Sequence, residues 1–113
     1  MAAGEIYLAN FPFGGSPGMK LRPVLLLTGE IGSVPEVLVA YLSSVIPADV
    51  LPSDMVVDPK QPEFASTNLR KNSVVRLHKL ATIHVSSLVR FLGVLDASPM
   101  ADIAAKLRLL LNL

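Results

Sequence analysis

Apolar residues along the chain fall into short runs that are separated by turn residues, and these runs predict strands. Two of the runs, Arg22–Gly29 and Glu36–Ile46, are almost continuously apolar, which is typical of central strands that are covered on both faces. Four shorter runs predict further strands at Gly4–Phe11, Asp54–Asp58, Ser73–Thr82 and Leu88–Asp96. We therefore expect five or six short antiparallel strands.

The segments between the runs predict loops, and the last segment predicts a helix. Pro12–Lys20 carries two prolines and three glycines, and Pro59–Asn72 is a polar crossing with room for one helical turn. At the C-terminal end, Ser98 is the expected N-cap and Pro99 the first helical residue. The apolar positions that then recur at helical spacing are Met100, Ile103, Ala104, Leu107, Leu110 and Leu111. The expected fold is mainly β (α+β): a closed or half-closed antiparallel barrel with a C-terminal helix packed on it.

Composition limits the class of protein. The 113 residues are enough for one domain, 1–113, and 51% of them are hydrophobic, so a core can form with apolar surface left for a partner. The net charge of +1 favours no particular partner, and without cysteine there is no disulfide framework. No apolar run approaches the roughly 18 residues of a membrane span, and no secretory signal is recognisable. We expect a soluble cytoplasmic protein.

Arg22 begins the first of the two long apolar runs. A hairpin turn centred between Gly32 and Ser33 would place Arg22 opposite Ser43, with Ser44 beside it. The glycine-rich loop Pro12–Lys20 would enter from the same end of the hairpin. A guanidinium beside hydroxyl groups is suited to binding a phosphate, although an arginine at the start of a strand is often only a solvated terminus.

Arg76 and His78 alternate onto one face of the predicted strand Ser73–Thr82. An imidazole beside an arginine could transfer protons during RNA cleavage through the 2′-hydroxyl, a reaction that needs no metal. The alternative is that both are ordinary surface residues. His84 is a weaker candidate, and no metal-ligand spacing, P-loop, GxGxxG, GxSxG or sequence-reading DNA-binding pattern is present.

In order along the chain, GEIYLANFPF, RPVLLLT, VAYLSS, NSVVRLHKLATI and LVRFLGVL resemble the MazF/PemK toxins of type II toxin–antitoxin systems. The resemblance covers essentially the whole chain. It implies a homodimeric SH3-like barrel that cleaves single-stranded RNA, usually mRNA, and that a cognate antitoxin neutralises. No cofactor is implied.

The resemblance also implies roles for particular residues. The family's RP arginine falls on Arg22 and its hydroxyl residue on Ser43, while its arginine and aspartate pair falls on Arg76 and His78. We therefore predict a catalytic set in which Arg22 and Arg76 stabilise the phosphorane, Ser43 holds a phosphate oxygen and His78 is the general base. The predicted RNA-binding residues are Lys20, Ser44, Asn72, Phe13 and Phe64; the two phenylalanines could equally anchor their loops.

Two alternatives remain open from the sequence. One is a toxin of the same fold that acts by binding a protein, as gyrase poisons do, with its working residues expected at Arg108–Leu113. The other is a catalytically inactive paralogue that binds only RNA or antitoxin. Histidine at position 78, where PemK-like members carry aspartate, supports the second alternative.

Overall fold

Six antiparallel strands form one sheet, and a single helix follows them, in the part of the chain that the computed structural model describes, residues 1–11 and 20–113. The strand order is β4-β5-β3-β2-β1-β6. The elements are β1 (Glu5–Phe11), β2 (Lys20–Leu26), β3 (Glu36–Ser43), β4 (Asp54–Val57), β5 (Ser73–His84), β6 (Leu88–Val94) and α1 (Ala97–Leu111). The expected fold class, mainly antiparallel β with a C-terminal helix, is confirmed.

Strands β2 and β3 lie in the middle of the sheet and are buried on both faces, as their continuous apolar runs predict. Leu25 belongs to an apolar cluster that also contains Ile103 of the helix. Its neighbours Val24 and Leu26 belong to a second cluster on the opposite side of the sheet. Because successive side chains of a strand point to opposite faces, a strand that contributes to two cores must be apolar throughout.

The edges of the sheet are β4 and β6, and within the described residues no ladder of backbone hydrogen bonds joins them. A 3₁₀ turn, Pro62–Thr67, lies in the predicted crossing loop and reaches β6. There, Ser66 Oγ donates to the carbonyl of Val94 at 3.0 Å and Asn68 Nδ2 donates to that of Leu92 at 2.9 Å. These bonds occupy carbonyls of an edge strand that would otherwise face solvent.

The helix begins earlier than the sequence pattern predicts. Its N-cap is Asp96, whose backbone is extended and whose carbonyl accepts a hydrogen bond from Met100 N–H at 2.9 Å. The prediction of Ser98 as N-cap is therefore wrong: Ser98 and Pro99 lie inside the first turn, where a proline is tolerated because the N–H groups have no helical partner. The helix packs on the sheet through Ile103, and its last turn is exposed, with Leu109 at 83%.

Candidate functional site

A cleft of about 290 Å³ lies where the start of β2, the end of β3 and the start of β5 meet. It contains the predicted phosphate-binding group, since Arg22 and Ser43 both line it together with Ser44. The full lining is Leu21, Arg22, Pro23, Tyr41, Leu42, Ser43, Ser44, Val45 and Ser73. We call it the Arg22 cleft.

The register of β2 against β3 explains why Arg22 and Ser43 meet. Val24 pairs with Tyr41, Leu25 with Ala40 and Leu26 with Val39, the offset that the predicted hairpin turn requires. The ladder with β3 starts at Val24, whereas β2 continues to pair with β1 as far as Lys20. Pro23 stands at this boundary, and proline has no N–H for a ladder. The two strands separate beyond it, and the Arg22 cleft opens between them.

The head group of Arg22 has most of its donors available. Among the described residues its one hydrogen bond runs from Nη1 to the carbonyl of Leu21, at 3.0 Å. Ser43 Oγ accepts a hydrogen bond from Val45 N–H at 3.1 Å and donates to the carbonyl of Val45 at 3.3 Å. Ser44 is exposed. A guanidinium carries five N–H donors and is positively charged at neutral pH, so the cleft can bind an anion.

Arg76 lies outside this cleft and contacts a residue that the sequence analysis missed. Its Nε is 2.8 Å from Oδ1 of Asp54, a carboxylate with no solvent exposure, and Asp54 and Arg76 are cross-strand partners in the β4–β5 ladder. The other carboxylate oxygen, Oδ2, accepts the N–H of Leu51 at 2.8 Å. The available signal was an aspartate at the head of an otherwise apolar strand between prolines.

His78 lies near Arg76 but opens into a different cleft. Its Nδ1 is 4.0 Å from the same Oδ1 of Asp54, so Arg76 and His78 do share a neighbourhood, as their alternation predicts. The imidazole lines an apolar cleft of about 360 Å³ formed with Leu51, Pro52, Ser53, Lys106, Leu109 and Leu110. The cause is an irregularity in the β3–β5 ladder, where Ala40 pairs with Leu80 but the next residue, Tyr41, pairs with Arg76.

The structure separates the predicted RNA-binding residues into several groups. Ser44 lines the Arg22 cleft, Lys20 is exposed at the start of β2, and Asn72 is exposed next to Ser73 of the cleft wall. Phe64 is only 8% exposed and belongs to the core, so the prediction of a stacking platform is wrong and its other predicted role, anchoring the loop, is what the structure has. Phe13 lies outside the described residues.

Two further properties concern the described part of the chain as a whole. No helix in residues 1–11 and 20–113 is long and apolar enough to cross a membrane. The same residues contain no group of three or more His, Asp or Glu side chains that could hold a metal ion. His84, the second histidine, accepts a hydrogen bond from the N–H of Ser86 at 3.0 Å and thereby caps the 3₁₀ turn Val85–Ser87.

Comparison with known proteins gives the class. Residues 2–111 match the family described as the PemK-like, MazF-like toxin of type II toxin–antitoxin systems. Since the match spans nearly the whole chain, this chain belongs to that family. No significant match was found among curated proteins.

Solved structures agree with this membership. The Mycobacterium tuberculosis toxin MazF-mt6 is 29% identical to this chain, with a TM-score of 0.74. The match covers 96% of this chain and 97% of that one. An endoribonuclease from a mycobacterial species is 16% identical, with a TM-score of 0.72 over 100% of this chain and 92% of that chain. A mycobacterial endoribonuclease in complex with its cognate antitoxin is 17% identical, with a TM-score of 0.73 over 100% of this chain and 96% of that one. The last two show a shared fold.

Proposed function

We propose that this toxin is an endoribonuclease that cleaves single-stranded RNA, in particular mRNA, by attack of the 2′-hydroxyl, and that a cognate antitoxin neutralises it. The observation that carries the proposal is the Arg22 cleft, which Arg22 lines together with Ser43 and Ser44. Among the described residues the Arg22 guanidinium makes one hydrogen bond, so its other N–H donors can bind a phosphate. Family membership and a similar structure named as an endoribonuclease in complex with its antitoxin support it.

In the proposed reaction the scissile phosphate binds in the Arg22 cleft. The 2′ oxygen forms a bond to phosphorus as its proton passes to a general base, the bond from phosphorus to the 5′ oxygen breaks, and that oxygen receives a proton. Arg22 stabilises the negative phosphorane and can supply this proton, while Ser43 donates to a phosphate oxygen after releasing the carbonyl of Val45. The products are a 2′,3′-cyclic phosphate and a 5′-hydroxyl.

The role of His78 as general base stays a prediction. His78 and Arg22 line different clefts, and β3 separates their strands, which places β2 and β5 about 10 Å apart at the backbone. Arg76 lies on β5 together with His78, and it pairs with Tyr41 of the Arg22 cleft. An RNA strand that runs from the start of β2 across β3 to β5 would therefore meet Arg22 first, and Arg76 and His78 after it.

The decisive experiment incubates the protein with a long single-stranded RNA in the presence of EDTA and analyses the product ends. Discrete cuts with cyclic-phosphate ends are expected from the wild type and from Arg108→Ala, which removes an exposed guanidinium on α1, but not from Arg22→Ala. RNA with a 2′-deoxy nucleotide before the cut site should resist cleavage. Intact RNA after incubation with the wild type, or equally fast cleavage of the deoxy substrate, would overturn the proposal.

A second candidate is the toxin that acts by binding a protein, which the exposed end of α1 favours. Leu109 and Leu113 are 83% and 88% exposed, and Leu109 borders the 360 Å³ cleft of His78. We expect expression of the nuclease to arrest growth with Leu109→Ser but not with Arg22→Ala. The reverse pattern would indicate the protein-binding toxin. An end rich in leucine also fits the proposed homodimer, which sedimentation of the purified protein would test.

A further inference from the structure

Asp54 is a buried carboxylate that the proposed reaction does not yet use. Its side chain has no solvent exposure, and its two oxygens contact three nitrogen atoms. Oδ2 accepts the N–H of Leu51 at 2.8 Å, which fixes the carboxylate to the loop before β4. Oδ1 lies 2.8 Å from Nε of Arg76 and 4.0 Å from Nδ1 of His78. One oxygen atom therefore faces both side chains of the predicted proton-transfer pair.

The contact with Arg76 uses only one edge of the guanidinium. The Nε and Oδ1 atoms form an ion pair by distance, although their alignment falls short of hydrogen-bond geometry. Arginine–carboxylate pairs are frequently bidentate, with two parallel N–H groups on the two oxygens, whereas here the second oxygen accepts the N–H of Leu51. Asp54 contacts Arg76 only through Nε. The four N–H donors on Nη1 and Nη2 have no partner among the described residues, so they can bind a ligand.

The position of Arg76 in the sheet brings it next to the Arg22 cleft. Val24, Tyr41, Arg76 and Asp54 form one row across β2, β3, β5 and β4, and residues of one row share a face of the sheet. Tyr41 lines the cleft, so Arg76 is the next side chain in the row. The side chain of Arg76 is 16% exposed, which leaves part of it open to a ligand.

We propose that Asp54 is a positioning residue for RNA cleavage. It holds Arg76 by Nε so that Nη1 and Nη2 bind an RNA phosphate, and it draws Nδ1 of His78 toward itself so that Nε2 is the ring nitrogen left to accept a proton. This inference rests on the proposed endoribonuclease function. Asp54 itself contacts neither RNA nor the reacting atoms.

The first test uses Arg76→Lys, which can keep the ion pair with Asp54 and is therefore expected to fold. A single ammonium group cannot both pair with Asp54 and present a second edge to a phosphate. We expect kcat/KM on single-stranded RNA to fall about tenfold or more with little change in melting temperature. If Asp54 and Arg76 only stabilise the β4–β5 pair, the lysine variant should cleave RNA within about twofold of the wild type.

The second test is a double-mutant cycle with Asp54→Asn, whose amide can still accept the N–H of Leu51. If Asp54 acts in part through Arg76, Asp54→Asn combined with Arg76→Lys should lose less kcat/KM than the two single losses multiplied together. Independent losses that multiply would overturn the inference. Asp58→Asn is the matched control: it neutralises a carboxylate that follows the same strand and accepts the N–H of Lys60 at 3.0 Å, and it should cleave like the wild type.

The outcomes separate this inference from the proposed function. If the wild type cleaves RNA but Arg76→Lys and Asp54→Asn cleave equally well, the inference fails and the function stands. If the wild type cleaves nothing, the function fails, and binding of a 2′-O-methyl RNA decides the inference. Loss of one phosphate contact should reduce the salt slope of binding by about 0.7 in both variants. An unchanged slope, or no RNA binding at all, would overturn the inference as well.

Discussion

Arg22 is held at its backbone and free at its head group. Its Cα pairs with Ala9 of β1, and Pro23 follows it with a fixed φ, whereas within the described residues the guanidinium makes a single hydrogen bond, to its neighbour Leu21. A functional group on a rigid support keeps its geometry when a ligand arrives. Changes to the head group should therefore alter RNA chemistry far more than they alter the free energy of unfolding.

Arg22→Lys tests this separation of roles. Lysine keeps the positive charge but loses the planar fork of donors, so we expect kcat/KM to fall about 10–100-fold, and Arg22→Ala to fall about 100–1,000-fold. The melting temperature should stay unchanged in both variants. Cleavage assays on one RNA, beside thermal unfolding, measure the two effects; Arg108→Lys is the control and should cleave normally. Full activity of Arg22→Lys would mean that only charge is needed at this position.

Tyr7 gives a prediction for pH. Burial raises the pKa of the Tyr7 phenol above its ordinary value of 10.0, and its hydrogen bond to Glu5 and the charge of Glu5 raise it further. Because the pKa is higher in the folded state, the contribution of Tyr7 to the free energy of unfolding is fully present below pH 10.0. That contribution is lost as the pH rises toward the pKa of the folded state.

In Tyr41→Phe only Tyr7 remains as a tyrosine, so an ultraviolet absorbance titration reports it alone. We expect the titration midpoint to lie above pH 10.0 and to move lower when Glu5→Gln is added. At alkaline pH, the free energy of unfolding should fall less in Tyr7→Phe than in the wild type. A midpoint at or below 10.0 would contradict the assignment.

Single residues also show what the sequence could and could not predict. The meeting of Arg22 with Ser43 depends on one hairpin, whose turn and apolar runs are local features, so it could be predicted. The pairing of Asp54 with Arg76 could not, because it depends on which strand lies beside β5. Phe64 lies in the crossing loop, as the sequence predicts. The burial of its ring could not be predicted, because it depends on how the loop packs over the core.

At the scale of elements, Gly93 allows the 3₁₀ turn Pro62–Thr67 to lie against β6. A Cβ at this position would be 2.5 Å from the carbonyl oxygen of Thr67 and would also meet that of Ser66. Both are backbone atoms and cannot rotate away. The crossing loop therefore needs a residue without a side chain at this point of the edge strand.

Gly93→Ala should consequently destabilise the protein by about 1–3 kcal/mol, the usual cost of overpacking. Urea unfolding measures the change. The control is Gly29→Ala, where a Cβ would lie 3.3 Å from the carbonyl of Met1, a terminal residue that can shift. An alanine at position 93 without loss of stability would show that the turn does not need to pack so closely against β6.

Element boundaries differ from the sequence pattern where two signals compete. Ser98 is a good N-cap residue, but Asp96 precedes it with an extended backbone and takes the cap. The alternation along β5 correctly places Arg76 and His78 close together. It could not show the irregularity opposite Ala40 and Tyr41, which turns His78 toward the helix, because such irregularities depend on both strands of a pair.

At the scale of the whole molecule, two clefts of different character lie at different places. The Arg22 cleft carries a guanidinium and serine hydroxyls, whereas the His78 cleft is walled by Leu51, Leu109 and Leu110. Polar groups suit RNA phosphates, and leucines suit an apolar segment of a protein. Asp54 is close to a neighbour of each cleft: its Oδ1 is 2.8 Å from Nε of Arg76, which pairs with Tyr41 of the Arg22 cleft, and 4.0 Å from Nδ1 of His78, which lines the other cleft.

This division leads to a prediction about neutralisation. We expect the antitoxin to bind through a partly disordered acidic and apolar segment that covers the RNA groove, because its carboxylates and RNA phosphates would then need the same cation, Arg22. Titrating the antitoxin segment into a complex of the toxin with a labelled 2′-O-methyl RNA should release the RNA. Arg22→Ala should weaken both ligands, and Leu109→Ser neither. Simultaneous tight binding of RNA and antitoxin would contradict occlusion, and weakening of the antitoxin alone by Leu109→Ser would place its segment on the leucine-rich end of α1.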